Sequence, residues 1–392
     1  MKYDVIIVGA GFAGATIANV LANKNKKVLV IDKRGQIGGN AADYFTKKEH
    51  LLVHKYGPHI FHTNYNEVWN YLKPFTKWFK YQHKVLGNID GKLVPIPFNF
   101  KSLELTHSKK DAKIIKKLLL KEFKNKEKVS ILDLKNHKNK TLQNFGEFVY
   151  EKVFVHYTSK QWGIHPDKID KSVINRVPIL LSYHDTYFLD KEQWMPKNGY
   201  QDIFKNMLKH KNITVKLKTN IRKMATLKNN KIYINKELFK GPFVYTGAID
   251  ELFNYKFGVL PYRSLDIKNE LHKVKYYQKT GTVNFPTSEK FTRISEYKHF
   301  LPNGHKSKEI KMTITAKEFS KAYSLNCGTD PYYPINNPKN NNMYLKYKDL
   351  SDKFKNIYLC GRLAEYKYYN MDITILNALK LAKEINNLLK SK

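Results

Sequence analysis

The chain opens with a strand, a turn, a helix and a second strand, and this pattern constrains its fold more than any other feature. The apolar run Val5–Val8 breaks into a glycine-rich turn at 9–14, and a second apolar run, Val28–Ile31, ends at Asp32. Asp32 lies about 20 residues beyond the turn, where a carboxylate accepts hydrogen bonds from a ribose hydroxyl in βαβ dinucleotide folds. The pattern therefore predicts a bound adenine dinucleotide, against the alternative of a βαβ turn that binds no nucleotide.

Each glycine of the turn has its own task. Gly9 permits the tight turn out of the first strand, Gly11 lets the backbone approach a pyrophosphate, and Gly14 lets the helix pack against the strand. The helix N-terminus then presents unpaired N–H groups and the positive end of its dipole to the phosphates. A second glycine pair followed by asparagine, at 38–40, forms another backbone concavity beyond the ribose site, which is more typical of FAD sites than of NAD sites. We therefore expect a flavoprotein.

The charge of the chain raises a different class of function. The formal net charge is +36, which is compatible with a nucleic-acid or membrane-surface role. The lysines, however, are spread over the whole length and interleaved with asparagine, which indicates a composition bias and not a focused patch. Only six of the 70 basic residues are arginines, so each arginine is a candidate for a planar, bidentate contact to phosphate or carboxylate. We predict no nucleic-acid partner.

Cysteine and histidine usage argues against disulfides and metals. Cys327 and Cys360 are the two cysteines, and they show no pairing pattern. The segment 54–63 holds three histidines, but no cysteine or converging carboxylate accompanies them, and Pro58 disfavours a helical ligand pair. No apolar run approaches the roughly 18 residues of a membrane span, and no leader pattern precedes the first strand. We expect no metal, no membrane insertion and a cytoplasmic location.

The middle of the chain changes in character near residue 170. Before it, amphipathic helical patterns fill the region 100–165, and Asp111–Phe123 places Ile114 and Ile115 on one face. After it, short apolar segments separated by Gly, Pro and Asn predict an antiparallel sheet. The expected strands are Tyr183–Leu189, Lys231–Ile234, Thr280–Phe285, Thr292–Phe300 and Lys311–Ala316.

The C-terminal segment contains a second strand, glycine turn and helix, as the N-terminal segment does. An apolar run at 356–360 predicts a strand, Gly361 and Arg362 form its turn, and Asp372 is expected to cap a final amphipathic helix. Two helix N-termini can then serve one cofactor, one at the pyrophosphate and one at the flavin. The alternative is an ordinary packing helix.

Five motifs carry a resemblance to a known family. They are HKYGPHIFHT (54–63), YTSKQWG (157–163), RVP (176–178), PYYP (331–334) and GRLAEYKYY (361–369). Together with the glycine-rich start, they resemble the bacterial type of UDP-galactopyranose mutase over nearly the whole chain. The resemblance implies an α/β fold in which a Rossmann-like FAD-binding domain carries a helical insertion domain and an antiparallel β-sheet domain. The implied boundaries are 1–78, 198–255 and 335–392 for a discontinuous FAD-binding domain, 100–168 for the helical insertion, and 79–99, 169–197 and 256–334 for the sheet domain.

The resemblance also implies an activity. The family catalyses a non-redox isomerisation of UDP-galactopyranose and UDP-galactofuranose, and thereby supplies galactofuranose for surface polysaccharide. In the implied mechanism the anomeric carbon of the sugar forms a covalent adduct with N5 of reduced FAD, so the cofactor performs nucleophilic catalysis while the protein supplies position and charge. The implied partner is a UDP-sugar substrate, and the implied assembly is a homodimer.

Particular residues match the motifs of the family. Arg176 and Arg293 match its diphosphate clamps, and Arg362 matches an arginine between flavin and substrate. His59 matches a histidine against the flavin ring, which completes the implied catalytic set. The implied substrate-binding residues are His83, Tyr157, Thr158, Trp162, Tyr187, Asn284, Tyr333 and Tyr368. The implied cofactor-binding residues are Gly9, Gly11, Ala13, Gly14, Asp32, Lys33, Gly39, Asn40, His59, Ile60, Gly361, Arg362, Asn370, Met371 and Asp372.

Departures from the family pattern leave the sugar open. Asn370 stands where the family usually has aspartate, and His83 falls where many relatives have asparagine. A relative that acts on the N-acetylated sugar has an arginine in place of the second histidine of HIFH, whereas this chain keeps His62, so unsubstituted UDP-galactose is favoured. Two other classes stay open: a flavin amine oxidase or desaturase with the same FAD domain, and a basic binding protein with a vestigial nucleotide fold.

Overall fold

The computed structural model describes residues 2–163, 178–326 and 328–391. Its strands, in chain order, are β1 (Val5–Val8), β2 (Val28–Ile31), β3 (Asp43–Phe45), β4 (Leu52–His54), β5 (Phe61–Thr63), β6 (Trp78–Lys80), β7 (Val85–Ile89), β8 (Lys92–Ile96), β9 (Lys128–Val129), β10 (Ile179–Leu180), β11 (Glu192–Pro196), β12 (Ile213–Lys216), β13 (Ala225–Lys228), β14 (Lys231–Ile234), β15 (Glu237–Phe239), β16 (Phe243–Tyr245), β17 (Tyr262–His272), β18 (Thr282–Asn284), β19 (Arg293–Glu296), β20 (Thr313–Ala322), β21 (Tyr333–Pro334) and β22 (Ile357–Leu359). Its helices are α1 (Phe12–Ala22), α2 (Asn66–Leu72), α3 (Phe100–Thr106), α4 (Lys109–Glu122), α5 (Ile131–Lys135), α6 (Lys140–Val149), α7 (His156–Trp162), α8 (Gln201–Leu208), α9 (Ile249–Leu252), α10 (Lys306–Glu309), α11 (Pro338–Asp352) and α12 (Met371–Lys390).

A parallel sheet in the order β12-β2-β1-β16-β22 forms the nucleotide-binding layer. Its central strands are continuous apolar runs because both faces of such a sheet are covered, and β2 is buried along its whole length. The strands come from three separate stretches of the chain: β1 and β2, then β12 and β16, then β22. All five strands run in the same direction, so the loops that follow their carboxyl ends meet at one edge of the sheet.

Helices α1, α8 and α12 cover one face of this sheet. Helix α1 is buried over nearly all of its length and packs against both α8 and α12. Helix α12 contributes a buried stripe that includes Ile375, Ala378, Ala382 and Ile385. The apolar face of the last helix is therefore buried against α1, so the two ends of the chain pack together.

A second sheet of seven strands lies in the order β21-β17-β20-β19-β18-β7-β8. All of its neighbouring pairs are antiparallel except β18 with β7, which run parallel. The register places Asn284 opposite Arg293, and Arg293 opposite Glu318 on the next strand. Residues that are far apart in sequence therefore share one row of the sheet.

The helical region between β8 and β10 has its own apolar core. Helix α4 buries Ala112, Ile115 and Leu119, whereas Ile114, predicted on the same face, is 43% exposed. Helix α6 continues through a π-helical stretch, Tyr150–Val155, into α7, as the helical pattern of the sequence predicted. This core also includes residues of β7 and β8, so the helices pack directly on the edge of the seven-stranded sheet.

Two expectations from the sequence are wrong in detail. Residues Tyr183–Leu189 form no strand: Tyr187 and Phe188 line a cavity, and Tyr183 is 50% exposed. Asn370, and not Asp372, occupies the N-cap position of the final helix, without a side-chain capping bond. Asp372 lies in the first turn and accepts a hydrogen bond from the Ile373 N–H at 2.8 Å.

The predicted α/β fold, with a Rossmann-like layer, a helical insertion and a second sheet, is confirmed. The boundaries assigned to its domains stay predictions. Within the described residues, no helix is both long enough and apolar enough to cross a membrane.

Candidate active site

Two cavities meet at the edge of the parallel sheet. The smaller has a volume of about 220 Å³ and lies over the glycine-rich turn, and the larger has a volume of about 570 Å³ and lies over the seven-stranded sheet. His59, Arg362 and Met371 line both of them. A ligand in one cavity can therefore contact a ligand in the other. No cluster of metal-ligating side chains occurs in the described part of the chain.

Close backbone approach shapes the smaller cavity. A Cβ atom on Gly39 would lie 2.9 Å from the Cα of Gly11, so the two glycine turns approach each other more closely than any side chain would allow. Gly9 adopts a φ of +111°, and a Cβ there would lie 1.9 Å from the hydroxyl of Thr246. A Cβ on Gly14 would lie 1.9 Å from the carbonyl oxygen of Gly9. The turn therefore requires glycine at these positions and leaves an open groove of backbone N–H groups.

The carboxylate of Asp32 organises this groove. One of its oxygens accepts a hydrogen bond from the Ala10 N–H at 2.8 Å, and the other accepts one from the Arg34 N–H at 2.8 Å. The guanidinium of Arg34 is in turn bonded to Asn40 Oδ1 at 3.1 Å and paired with Asp330 at 2.8 Å. Asp32 thus ties the glycine turn to the next loop, while each oxygen keeps a second lone pair for a ribose hydroxyl.

Two helix N-termini reach the smaller cavity without a side-chain cap. Helix α1 begins after Gly11 and α12 begins after Asn370, and neither capping residue bonds the first N–H groups of its helix. Orphan N–H groups at a helix N-terminus, together with the helix dipole, bind phosphate or an electron-rich ring edge. A cradle of glycine backbone, a ribose carboxylate and two such N-termini fits FAD.

The floor of the larger cavity is a row of polar side chains across the seven-stranded sheet. Asn284 and Arg293 lie on adjacent strands and face the cavity. Arg293 donates from Nε to Glu318 at 2.8 Å, and the Glu318 side chain has no exposed surface. Burial opposes the charge of Arg293, but the combined effect of Glu318, Tyr157 and Tyr333 outweighs burial and raises the pKa of Arg293 above its ordinary value. The guanidinium therefore stays charged, and its described bond to Glu318 uses only Nε, which leaves the terminal nitrogens to face a ligand.

Aromatic rings form one wall of this cavity. Trp162, at the end of α7, lies 6.2 Å from the ring centre of Tyr333 and 5.7 Å from that of Tyr368. The guanidinium of Arg362 lies over both tyrosine rings, at 5.1 and 4.9 Å. Arg362 also donates to the Tyr369 carbonyl from Nε at 3.1 Å and from a terminal nitrogen at 2.6 Å. The wall thus combines a fixed cation with two hydroxyl-bearing rings.

His59 stands where the two cavities join. Its Nδ1 lies 2.9 Å from the Gly57 carbonyl, so Nδ1 carries the proton and Nε2 keeps its lone pair. Its backbone is held on both sides, since its N–H donates to His54 Nδ1 at 3.2 Å and its carbonyl accepts from the Tyr200 hydroxyl at 3.0 Å. Burial lowers the pKa of His59 to about 4, and Arg362 and Arg293 add to this. His59 is therefore a neutral hydrogen-bond acceptor near pH 7.

His83 is a second buried histidine that lines the larger cavity. Its carbonyl accepts a hydrogen bond from the Tyr187 N–H at 2.7 Å, and the two rings lie 5.9 Å apart, edge to face. Burial lowers the pKa of His83 to about 3, with a further contribution from Arg293. Three buried polar atoms around this cavity have no partner among the described residues, namely Gln161 Oε1, Thr282 Oγ1 and Asn284 Oδ1. The cavity therefore suits a polar ligand.

The structure brings the predicted substrate residues together. All eight line the larger cavity: His83, Tyr157, Thr158, Trp162, Tyr187, Asn284, Tyr333 and Tyr368. Of the predicted catalytic residues, Arg293, His59 and Arg362 line the same cavity, whereas Arg176 lies outside the described residues. Their roles stay predictions.

Most of the predicted cofactor residues line one of the two cavities. Those at the smaller cavity are Gly9, Gly11, Ala13, Asp32, Lys33, Gly39, Asn40, His59, Gly361, Arg362 and Met371. Ile60 and Asn370 line the larger cavity. Gly14 and Asp372 line neither, because Gly14 packs α1 against β1 and Asp372 lies inside the first turn of α12.

Several cavity residues escaped the sequence reasoning. Thr219–Ile221 line the smaller cavity after β12, and Asp330 and Pro331 cover it from the seven-stranded side. Tyr56 and Tyr332 line the larger cavity. The signal for Thr219–Ile221 is their place after a parallel strand, but the pairing of β12 with β2 spans about half of the chain and leaves no local mark. Tyr56, Pro331 and Tyr332 lie inside the motifs HKYGPHIFHT and PYYP, whereas no local signal marks Asp330.

Comparison with known proteins gives the family. The family described as UDP-galactopyranose mutase matches residues 152–368, and the NAD(P)-binding Rossmann-like domain matches residues 7–75. UDP-galactopyranose mutase from Mycoplasma genitalium is 38% identical over 98% of this chain and 95% of its own length. dTDP-fucopyranose mutase from Escherichia coli is 34% identical over 97% of each chain.

Solved structures share the fold. The crystal structure of a reduced UDP-galactopyranose mutase superposes with a TM-score of 0.72 at 15% identity, covering 98% of this chain and 96% of that one. A putrescine oxidase superposes less well, with a TM-score of 0.55 at 11% identity over 98% of this chain and 99% of that one. Likeness at such identities reports the fold alone. Sequence identity over the full chain and the family match agree, and this protein belongs to the UDP-galactopyranose mutase family.

Proposed function

We propose that the protein is an FAD-dependent isomerase that interconverts UDP-galactopyranose and UDP-galactofuranose, without net oxidation or reduction. One observation carries the proposal: a cavity lined by arginines and tyrosines opens directly onto the dinucleotide cradle, through His59 and Arg362. A nucleotide sugar held by the arginines would place its sugar at the junction, against the cofactor. An oxidase would need no such diphosphate clamp.

The clamp suits a diphosphate that leaves and returns. Arg293 and Arg362 are cations that do not react, and each is fixed by a partner, Glu318 or the Tyr369 carbonyl. The hydroxyls of Tyr333 and Tyr368 face the same space as Arg362. Charge-assisted hydrogen bonds of this kind are roughly twice as strong as neutral ones. We expect Arg176, predicted from the sequence, to complete the clamp.

The rings of α7 and β21 suit the nucleoside. Tyr157 and Trp162 flank the cavity on the side of the helical insertion, where a uracil ring can stack on an aromatic face. Burial raises the pKa of Tyr157, so its hydroxyl stays protonated and donates a hydrogen bond at neutral pH. These residues bind and orient the nucleotide without taking part in bond making.

Reduced FAD, when bound, supplies the nucleophile toward the anomeric carbon, as the resemblance implies. The protein then has three tasks: to hold the diphosphate, to orient the sugar and to keep water out. His59 is neutral and presents an Nε2 lone pair at the junction, so it can accept a hydrogen bond without adding charge. His83 and Asn284 lie at the sugar end and orient hydroxyl groups.

A single incubation tests the proposal. Purified protein is mixed with UDP-galactofuranose, with and without dithionite, and the UDP-sugars are separated by chromatography. We expect UDP-galactopyranose only after reduction, and no consumption of an electron acceptor. Product without prior reduction, or no product in either arm, contradicts the proposal.

The sugar and the base need a panel of substrates, because one relative is named for a dTDP-linked sugar. UDP-galactose is the proposed substrate. His62 keeps the histidine of the galactose pattern, and its ring is fixed by Asp190 at 2.9 Å beside the cavity. Parallel incubations with the pyranose and furanose forms of UDP-N-acetylgalactosamine and of dTDP-fucose should give lower kcat/KM. A higher kcat/KM for either pair would change the proposed substrate, while the proposed isomerase activity would stand.

We also propose a cytoplasmic homodimer, for which the support is the resemblance. Light scattering on the purified protein should give twice the mass of one chain. A monomer at micromolar concentration would contradict the proposed homodimer and would leave the proposed isomerase activity unaffected.

A further inference from the structure

Helix α7 carries Tyr157, Thr158 and Trp162, which we call the nucleoside wall. A lysine of the same helix is surrounded by backbone carbonyls. Lys160 Nζ lies 2.5 to 3.2 Å from the carbonyl oxygens of Phe285, Thr287, Glu289 and Phe291. These four residues belong to the connection between β18 and β19. An ammonium group has three donors and strong charge, so it can hold several carbonyls at one point. Lys160 therefore anchors α7 to the loop that joins Asn284 to Arg293.

An arginine anchors the C-terminal turn of the same helix. Arg263, on β17, is only 6% exposed, and it donates from Nε to the Gln161 carbonyl at 2.9 Å and from a terminal nitrogen to the Lys160 carbonyl at 3.0 Å. Ser320, on β20, donates to the Gln161 carbonyl at 2.7 Å and accepts from Arg263 at 3.0 Å. The last carbonyls of a helix need such partners, and a cation there also interacts favourably with the helix dipole.

Gly163 allows the guanidinium to sit against the helix end. The residue has a φ of +70°, and a Cβ atom there would lie 2.3 Å from a terminal nitrogen of Arg263. The side chain of Arg263 therefore covers the C-terminus of α7 directly. Its partners are carbonyls and a hydroxyl, which explains why this chain keeps an arginine fork here although it uses lysine elsewhere.

Both anchors join the nucleoside wall to the strands of the clamp. Tyr157, Thr158 and Trp162 are carried by α7, while Asn284 and Arg293 flank the loop that Lys160 holds. Neither Lys160 nor Arg263 lines the cavity. We propose that Lys160 and Arg263 are positioning residues that set the spacing between the nucleoside wall on α7 and the diphosphate clamp on the seven-stranded sheet. The identity of the ligand as a uridine diphosphate rests on the proposed function.

The chain offers a matched control for the lysine. Lys298, only 3% exposed, also holds backbone carbonyls, those of Lys275, Ile310 and Met312. It follows β19 of the same sheet and lines neither cavity, and its described hydrogen bonds go to residues outside α7. Replacing either lysine by methionine removes one charge and leaves backbone carbonyls without their cation, four at Lys160 and three at Lys298.

The experiment compares Lys160→Met with Lys298→Met. Both should lower the melting temperature and retain FAD, measured by flavin absorbance. Only Lys160→Met should weaken binding of UDP and raise KM, by about tenfold or more, because a misplacement of ~1 Å between binding groups can cost ~100-fold. The fall in kcat should be smaller. Equal UDP affinity in Lys160→Met and the wild type, or the same loss in Lys298→Met, would overturn the proposal.

A second pair of variants covers failure of Lys160→Met to fold. Arg263→Lys keeps the charge but loses the fork, and Ser320→Ala removes one bond to the Gln161 carbonyl. We expect a graded loss of UDP affinity, larger for Arg263→Lys than for Ser320→Ala, with normal flavin content. Unchanged UDP affinity in both would also overturn the proposal. UDP binding is measured by titration without turnover, so the outcome stands apart from the sugar assay: an inactive wild type would refute the isomerase alone.

Discussion

The two cavities meet at His59, but backbone shapes the smaller one and side chains shape the larger one. The smaller cavity is lined by glycine turns and helix N-termini, so its shape is a property of the backbone. The larger cavity is lined by side chains from β7, α7, β18, β19, β21 and the turn before α12. The glycine turns of the smaller cavity depend on local sequence, although Thr219–Ile221 reach it through the pairing of β12 with β2, and the larger cavity depends on the register of distant strands. Changes in one should therefore leave the other largely intact.

The strongest test of this separation is Arg293→Ala. The variant removes a charged clamp and leaves Glu318 buried without its partner. Loss of one preorganised charge-stabilising donor typically costs ~100- to 1,000-fold in kcat, so turnover should nearly vanish. Flavin content, measured by absorbance, should stay near that of the wild type. Arg222→Ala, at an exposed arginine bonded to Asn254, should keep both activity and flavin. Loss of flavin in Arg293→Ala would show that the two cavities are not separable.

The converse test is Gly14→Ala. The new Cβ would lie 1.9 Å from the Gly9 carbonyl oxygen, and backbone cannot move aside cheaply. We expect α1 to shift, FAD to be lost on purification and the free energy of unfolding to fall by roughly 2–4 kcal/mol, as for other overpacked sites. The control is Gly35→Ala, whose Cβ would meet only the flexible end of Lys218 at 3.3 Å. Normal flavin binding in Gly14→Ala would contradict a backbone-built cradle.

A smaller effect is expected at the nucleoside wall. Trp162→Ala removes the ring that packs near Tyr333 and Tyr368. Stacking of a base on an aromatic ring is worth ~1–3 kcal/mol, so KM should rise by about tenfold or more. Trp162→Phe keeps a ring and should recover part of the loss. A change in kcat without a change in KM would place Trp162 elsewhere than beside the base.

The smallest expected effect concerns His83 and is measured as the pH dependence of the unfolding free energy. Burial lowers the pKa of His83 to about 3 from an ordinary value of 6.5. Between these values the unfolded chain binds the proton and the folded chain does not, so stability falls as the pH drops from 6.5 toward 3. His83→Asn removes this group, so the loss of unfolding free energy between pH 7.5 and pH 5 should shrink by roughly 2 kcal/mol.

Urea unfolding at the two pH values measures this change. His50→Asn is the matched control, since His50 is exposed and its left-handed backbone suits asparagine. An equal acid effect in His83→Asn and the wild type would show that His83 is protonated in the folded protein. Flavin content should not change in either variant.

The sequence predicted the backbone cavity well because its determinants are local. The glycine turn, the strand on each side and Asp32 all lie within about thirty residues, and each has a direct physical reason. The carboxyl end of β22 followed by a helix gave the second N-terminus in the same way. Only the capping residue was misplaced, since Asp372 bonds inside the first turn while Asn370 holds the cap position.

The side-chain cavity could be predicted only through the resemblance. Nothing local to Arg293 indicates that Asn284 and Glu318 flank it, because that contact depends on the pairing of β18, β19 and β20. The aromatic pattern of 183–189 predicts a strand, although Tyr187 and Phe188 line the cavity. The contacts of Lys160 and Arg263 could not be predicted from the sequence, because their partners are backbone carbonyls, which no sequence pattern marks.

The junction at His59 and Arg362 has a thermodynamic consequence. Two ligands that share contacts with the same side chains are energetically coupled, and such coupling is reciprocal. If bound FAD raises the affinity for UDP by some factor, UDP must raise the affinity for FAD by the same factor. In that case saturating UDP should lower the equilibrium dissociation constant of flavin, so the nucleotide also acts as a stabiliser of the cofactor.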